Sequence, residues 1–160
     1  MNTKIAPCLW FDDQAEEAAR FYTAIFPDSK ITAISRYPQD HYGKPAGAAM
    51  LVAFELSGKP FTALNGGPDF KFSEAISFQI ECATQEEVDY YWTRLSEGSD
   101  PEAGQCGWVK DKFGLSWQVV PKVLPEMLMD PDAAKAQRVF QAMLGMKKLE
   151  IADLERAFAG

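Results

Sequence analysis

Apolar and polar positions alternate along the chain in two patterns that occur twice. Residues 3–11 read as a strand, and a helix follows from about Gln14 to Phe26, with Ala18, Phe21, Tyr22, Ile25 and Phe26 on one stripe. Asp13 with Glu16 three residues later resembles a capping box, and Pro27-Asp28 stops the helix. Three further strands are expected at Lys30–Tyr37, Ala48–Leu56 and Lys59–Asn65, with Pro38–Gly47 as a loop and Ser57-Gly58 as a hairpin turn. The pattern then restarts. Laid on each other without a gap at an offset of seventy residues, Pro7–Ser29 and Ser77–Ser99 match Glu16 and Glu17 with Glu86 and Glu87, Phe21 and Tyr22 with Tyr91 and Trp92, and Ile25 with Leu95. In the second copy Thr84 and Glu87 form the capping box, Val88, Tyr91, Trp92 and Leu95 form the stripe, and Gly98 ends the helix. A short strand at most fits before Gly104, after which Gln105–Lys110 and Leu115–Val120 form a hairpin around Phe113-Gly114, so the second half is a shortened copy.

The period of two assigns faces to the strands. Ile76, Phe78, Ile80 and Cys82 share the apolar face that a helix would cover, and Ser77, Gln79 and Glu81 point the other way. Transferred through the repeat, Ala6, Cys8 and Trp10 face the helix, whereas Pro7, Leu9 and Phe11 join the polar trio on a groove-forming face. In the last strand Leu115, Trp117 and Val119 read as core, with Ser116, Gln118 and Val120 toward the groove. From Lys122 onward helix formers dominate. Asp130 is the expected N-cap with Pro131 at the first helical position, followed by a stripe of Ala136, Val139, Phe140, Met143 and Leu144, and by a last helix carrying Ile151, Leu154 and Phe158. These helices either cover a sheet edge, roof the groove or bind a second subunit.

Composition narrows the partners. The formal net charge is −7 with scattered basic residues, which argues against a nucleic-acid partner. No apolar run suits a membrane-spanning helix and no secretory pattern opens the chain; with Cys8, Cys82 and Cys106 unable to pair completely, the expectation is reduced thiols in a cytoplasmic protein. At 160 residues the prior is one domain: a first module over 1–68, a shortened second over 72–121 and helices over 122–158.

Local strings extend the pattern. Pro7-Cys8-Leu9-Trp10-Phe11, Phe21-Tyr22, Phe26-Pro27, Ala63-Leu64-Asn65-Gly66-Gly67-Pro68, Cys106-Gly107-Trp108 and Phe113 through Pro121 resemble the PhnB-like branch of the vicinal oxygen chelate superfamily, the glyoxalase/bleomycin-resistance/dioxygenase proteins, and the tail from Asp130 through Leu154 is similar to it as well. The resemblance implies an α+β fold: two βαβββ modules related by pseudo-symmetry, curled sheets around a groove, and a C-terminal helical tail. It also implies a two-fold homodimer. Many members of the branch carry a 3-demethylubiquinone-9 3-methyltransferase label. A common methyltransferase binds its cofactor on a Gly-rich loop entering a helix, whereas Gly66-Gly67 leads into Pro68-Asp69-Phe70.

Glyoxalase-type relatives hold a divalent metal at four groove positions, and these fall here on Pro7, on Ala63 or Asn65, on Ser77 and on Gln118. Proline and alanine offer no donor, and neutral amides alone hold no transition metal, so neither metal nor other cofactor is expected. The expected ligand groove then consists of Leu9, Phe11, Asn65, Ser77, Gln79, Glu81, Ser116 and Gln118, apolar walls with a few polar groups and no Arg or Lys. Glu81 is the candidate general base; Cys106 lacks a neighbouring histidine, and His41, the single histidine, sits in a loop. Three classes stay open: a metal-independent small-molecule-binding protein, a metal-free lyase or isomerase acting on a small carbonyl compound, and a structural homodimer with a vestigial groove.

Overall fold

The computed structural model describes residues 5–41, 43–100 and 104–160. Thr3 and Lys4 of the expected first strand, Tyr42 of the expected loop and residues 101–103 lie outside the described residues. The chain forms two compact units, Met1–Phe72 and Ser73–Gly160. The boundary follows Phe72, and the C-terminal helices belong to the second unit.

In the first unit β1 (Cys8–Phe11), α1 (Ala15–Ile25), β2 (Lys30–Arg36), β3 (Ala49–Leu56) and β4 (Lys59–Asn65) build a four-stranded sheet of order β1-β4-β3-β2. β1 runs parallel to β4, and the other pairs are antiparallel. Ser57 (φ 46°) and Gly58 (φ 73°) make the two-residue hairpin loop, as a turn with two left-handed residues requires. Ala15, Ala18 and Ala19 let α1 approach the sheet closely, and Tyr22 stacks on Phe54 with ring centroids 6.4 Å apart. Glu16 and Glu17 complement the helix N-terminus, and Glu16 also pairs with Arg20 at 2.7 Å.

The expected capping box at Asp13 does not form. Gln14 is the N-cap residue and makes no side-chain cap bond; instead the buried Asn65, at the end of β4, accepts from the Ala15 backbone N–H at 2.8 Å and donates to the Ala49 carbonyl at 2.9 Å. A residue fifty positions away in sequence thus caps the helix. Asn65→Leu keeps the volume but leaves the Ala15 donor and the Ala49 acceptor without this partner, and is expected to lower stability by about 2 kcal/mol in urea unfolding.

The second unit repeats the order with β5 (Ser77–Cys82), α2 (Gln85–Ser96), β6 (Gly104–Gln105), β7 (Trp108–Lys110) and β8 (Ser116–Pro121), giving a sheet of order β5-β8-β7-β6. Here the expected cap is present: Thr84 Oγ1 accepts from the Glu87 backbone N–H at 3.3 Å, and the Glu87 carboxylate accepts from the Ala83 N–H. The single strand expected over Gln105–Lys110 is divided by a tight turn at Cys106 (φ 54°) and Gly107 (φ 82°). Ile76 precedes β5 and is exposed, so it is not part of the helix-facing row.

Three helices complete this unit: α3 (Val123–Leu128), α4 (Ala133–Leu144) and α5 (Ile151–Ala159). Asp132, not Asp130, caps α4, accepting from Ala134 and Lys135; Asp130 instead accepts from the Asp132 N–H in the preceding turn. Leu124, Val139, Leu149 and Leu154 form their buried core, whereas Phe140 and Leu144 of the expected stripe are exposed.

Candidate functional site

The face of the second sheet opposite α2 follows from strand parity. α2 packs Val88 and Leu95 toward the face that buries Cys82, Trp117 and Val119. On the opposite face the registers Ser77↔Ser116, Gln79↔Gln118, Trp108↔Gln118, Lys110↔Ser116 and Gln105↔Trp108 gather one strip of side chains from four strands. Two amides and a hydroxyl are linked along it: Gln79 Nε2 donates to Gln118 Oε1 at 3.2 Å, and Gln118 Nε2 donates to Ser77 Oγ at 2.7 Å. Beside them an open cleft of about 540 Å³ is lined by Gln105, Cys106, Trp108, Lys110, Ser116 and Glu74, with Gly104 and Val109 completing the wall. The Lys110 ammonium donates to the Glu74 carboxylate, and that bond, with a backbone hydrogen bond, holds the Glu74 carboxyl below its ordinary range.

The turn that carries Cys106 into this cleft is anchored by the segment between α4 and α5. The Cys106 and Gly107 N–H groups donate to the Met146 and Lys147 carbonyls, both at 2.8 Å, and a Cβ on Gly107 would meet Leu149 Cδ1 at 2.8 Å and the Val119 carbonyl at 2.9 Å. Gln85 ties the same segment to α2, donating to the Leu149 carbonyl at 3.2 Å and accepting from the Ile151 N–H at 2.8 Å. Lys148 lies between Asp89 and Glu150, which raise its pKa, the Asp89 hydrogen bond most.

Of the residues expected at a groove, Ser77, Gln79, Ser116 and Gln118 share the face of the second sheet opposite α2, with Ser116 itself lining the cleft. Glu81 is exposed at the end of β5 and is not among the cleft-lining residues. Leu9, Phe11 and Asn65 lie elsewhere. They pair as Leu9↔Ala63 and Phe11↔Asn65, are buried, and sit on the side of the first sheet that α1 covers, as the Asn65 bond to Ala15 requires. Cys8 and Trp10 take the opposite side, with the Trp10 indole donating to the Gly67 carbonyl and lying where a Cβ on Gly66 would fall.

The reason for the correction is one residue. Three residues, Asp12 to Gln14, join β1 to α1, but only Ala83 and Thr84 join β5 to α2. Gly66 N–H donates to the Phe11 carbonyl as Lys122 N–H donates to the Cys82 carbonyl, so Phe11 corresponds to Cys82 at an offset of 71, although Ala15 corresponds to Gln85 at 70. A slip of one position exchanges the two faces of a strand. The cleft also holds a cation, Lys110, against the expectation of a site without Lys or Arg. Its signal was present in the sequence: Trp108 and Lys110 alternate on a strand whose hairpin partner carries Ser116 and Gln118.

The four positions implied for a metal do not fit one. Pro7 has no side-chain donor, Ala63 and Asn65 lie on the helix-covered side, and Ser77 and Gln118 are bonded to each other. Among the described residues no three His, Cys, Asp or Glu side chains form a metal-holding group. Burial, the largest cause, pushes the Cys82 thiol up to about 11, which makes it a poor nucleophile at neutral pH. No described helix is long and apolar enough to cross a membrane.

The family described as 3-demethylubiquinone-9 3-methyltransferase matches residues 3–120. A PhnB protein from Bacillus cereus that carries the same methyltransferase name is 33% identical; the match covers 74% of this chain and 99% of that one, with a TM-score of 0.65. Protein PA1353 from Pseudomonas aeruginosa shares the fold at 18% identity and a TM-score of 0.58, over 76% of this chain and 98% of its own. A glyoxylase/bleomycin resistance protein/dioxygenase domain from Frankia sp. is similar at 18% identity and a TM-score of 0.47, over 76% of this chain and 92% of its own. No curated protein matches the chain. With two βαβββ sheets and a family match over most of its length, this chain belongs to the 3-demethylubiquinone-9 3-methyltransferase family and is PhnB-like.

Proposed function

We propose that this chain binds a small organic molecule in the cleft of its second sheet without using a metal ion. The observation that carries the reading is the cleft itself: about 540 Å³, lined by the Trp108 ring and by Gln105, Ser116 and Lys110 as the polar groups that orient a guest. The adjoining Gln79–Gln118–Ser77 chain supports it, because side chains already bonded to one another present a fixed surface and lose little freedom when a ligand arrives. The donor set supports metal independence, since amides and hydroxyls are poor ligands for a transition metal.

The methyltransferase named by the family finds no support in this geometry. Gly66 and Gly67 follow a strand but lie beside Trp10 and open no helix, and among the described residues no Gly-rich turn leads from a parallel strand of these mixed four-stranded sheets into a helix. Likewise no observation favours Glu81 as a general base, since it is exposed and outside the cleft lining.

Native mass spectrometry against a library of flat, amphiphilic compounds tests the reading. Saturable one-to-one binding is expected to persist in EDTA and to disappear in Gln105→Trp, whose indole would occupy the cleft mouth. Binding lost on chelation, or conversion of the bound compound into product, would overturn it.

A further inference from the structure

The cleft contains one charge on a sheet strand and one on a more exposed turn, and the difference points to the guest. Lys110 belongs to β7, between paired strands, and its stem lies on the same face as Trp108 and Ser116. Glu74 sits in a turn before β5, outside the sheet, with its side chain 62% exposed against 36% for Lys110. An ion pair this open to water contributes little to stability, so a competing anion displaces Glu74 at small cost. Gln105 and Ser116 line the same cleft and add an amide and a hydroxyl as donors, whereas among the described lining residues Glu74 is the only carboxylate.

Resting on the binding reading above, we infer that the guest is a flat molecule bearing a negative charge: its ring lies against Trp108 and its anionic group takes Lys110 from Glu74, which acts as a built-in competitor. Glu74 occupies the cation while the cleft is empty and swings to solvent when an anion binds. A neutral ligand would leave the pair in place and bind more weakly. The depressed carboxyl of Glu74 fits this role, because it stays ionised, and so remains a competitor, across the neutral range.

Two fluorescent probes that share a ring system separate the possibilities: 8-anilinonaphthalene-1-sulfonate, an anion, and N-phenyl-1-naphthylamine, which is neutral. The readout is the ratio of their affinities. Lys110→Met is expected to lower the anion preference about tenfold and Glu74→Gln to raise it about threefold. Displacement of Glu74, as opposed to simple repulsion by it, requires that Glu74→Gln have no effect in a Lys110→Met background. An equal effect in both backgrounds overturns the competitor role. A ratio that neither substitution moves, with probe binding still abolished by Gln105→Trp, overturns the anionic guest and leaves cleft binding standing. Probe binding that Gln105→Trp does not touch overturns both.

Discussion

Asp111→Ala is expected to lower stability by about 4 kcal/mol, the largest effect of any polar substitution in the second unit. Asp111 is 3% exposed, and both of its oxygens are used. Oδ1 accepts from the Phe113 N–H at 2.9 Å and the Leu115 N–H at 3.0 Å, and Oδ2 accepts from Trp117 Nε1 at 2.9 Å. One carboxylate therefore folds the β7–β8 turn and fixes the indole at the centre of the sheet. Alanine would strand three donors in a site closed to water, and bonds to a charged acceptor contribute about 1.5–3 kcal/mol each before relaxation reduces the sum. Asp111→Asn should lie between, because its amide keeps one acceptor but can turn a donor toward Trp117. Urea unfolding followed by tryptophan fluorescence measures both. An alanine variant within about 1 kcal/mol of the parent would show that water replaces the carboxylate.

Leu149→Ala is expected to cost about 3 kcal/mol and to loosen the cleft wall at the same time. Leu149 is fully buried; it belongs to the core of the three C-terminal helices and also touches the space above Gly107. Removing its branched end leaves a cavity between that helical core and the β6–β7 turn. The amides of Cys106 and Gly107, which donate to Met146 and Lys147, should then exchange hydrogen faster, while the Ala15 amide in the first unit should not change. Equal acceleration at all three sites would indicate global unfolding and contradict a local role for Leu149.

Most of the elements were legible in the sequence because their signals are local. Ser57-Gly58 can adopt two left-handed conformations in succession, Thr84 and Glu87 form a cap within one turn of helix, and the alternation of Ser77 to Cys82 fixes its two faces without reference to any other strand. Two misreadings in the first unit have different sources. α1 is capped by Asn65 rather than by anything beside it, and the face of β1 depends on the length of the turn after it, which a gapless repeat cannot register. For this reason Leu9 and Phe11 pass from a ligand surface to the core. Lys110 was overlooked although its place opposite Ser116 in the β7–β8 hairpin was legible; what the sequence did not show is the Cys106-Gly107 turn that brings Gln105 beside Trp108 on the same face.

The carbonyls of Met146 and Lys147 have a second role. Backbone donors at the tip of a hairpin, beside the edge strand β6, are groups that a strand from another molecule can recruit. Here they are already taken by the chain's own C-terminal segment, which lies beyond the residue 120 at which the family match ends. The C-terminal segment therefore closes off these donors as well as contributing a core: reaching them means lifting Leu149 out of its place over Gly107.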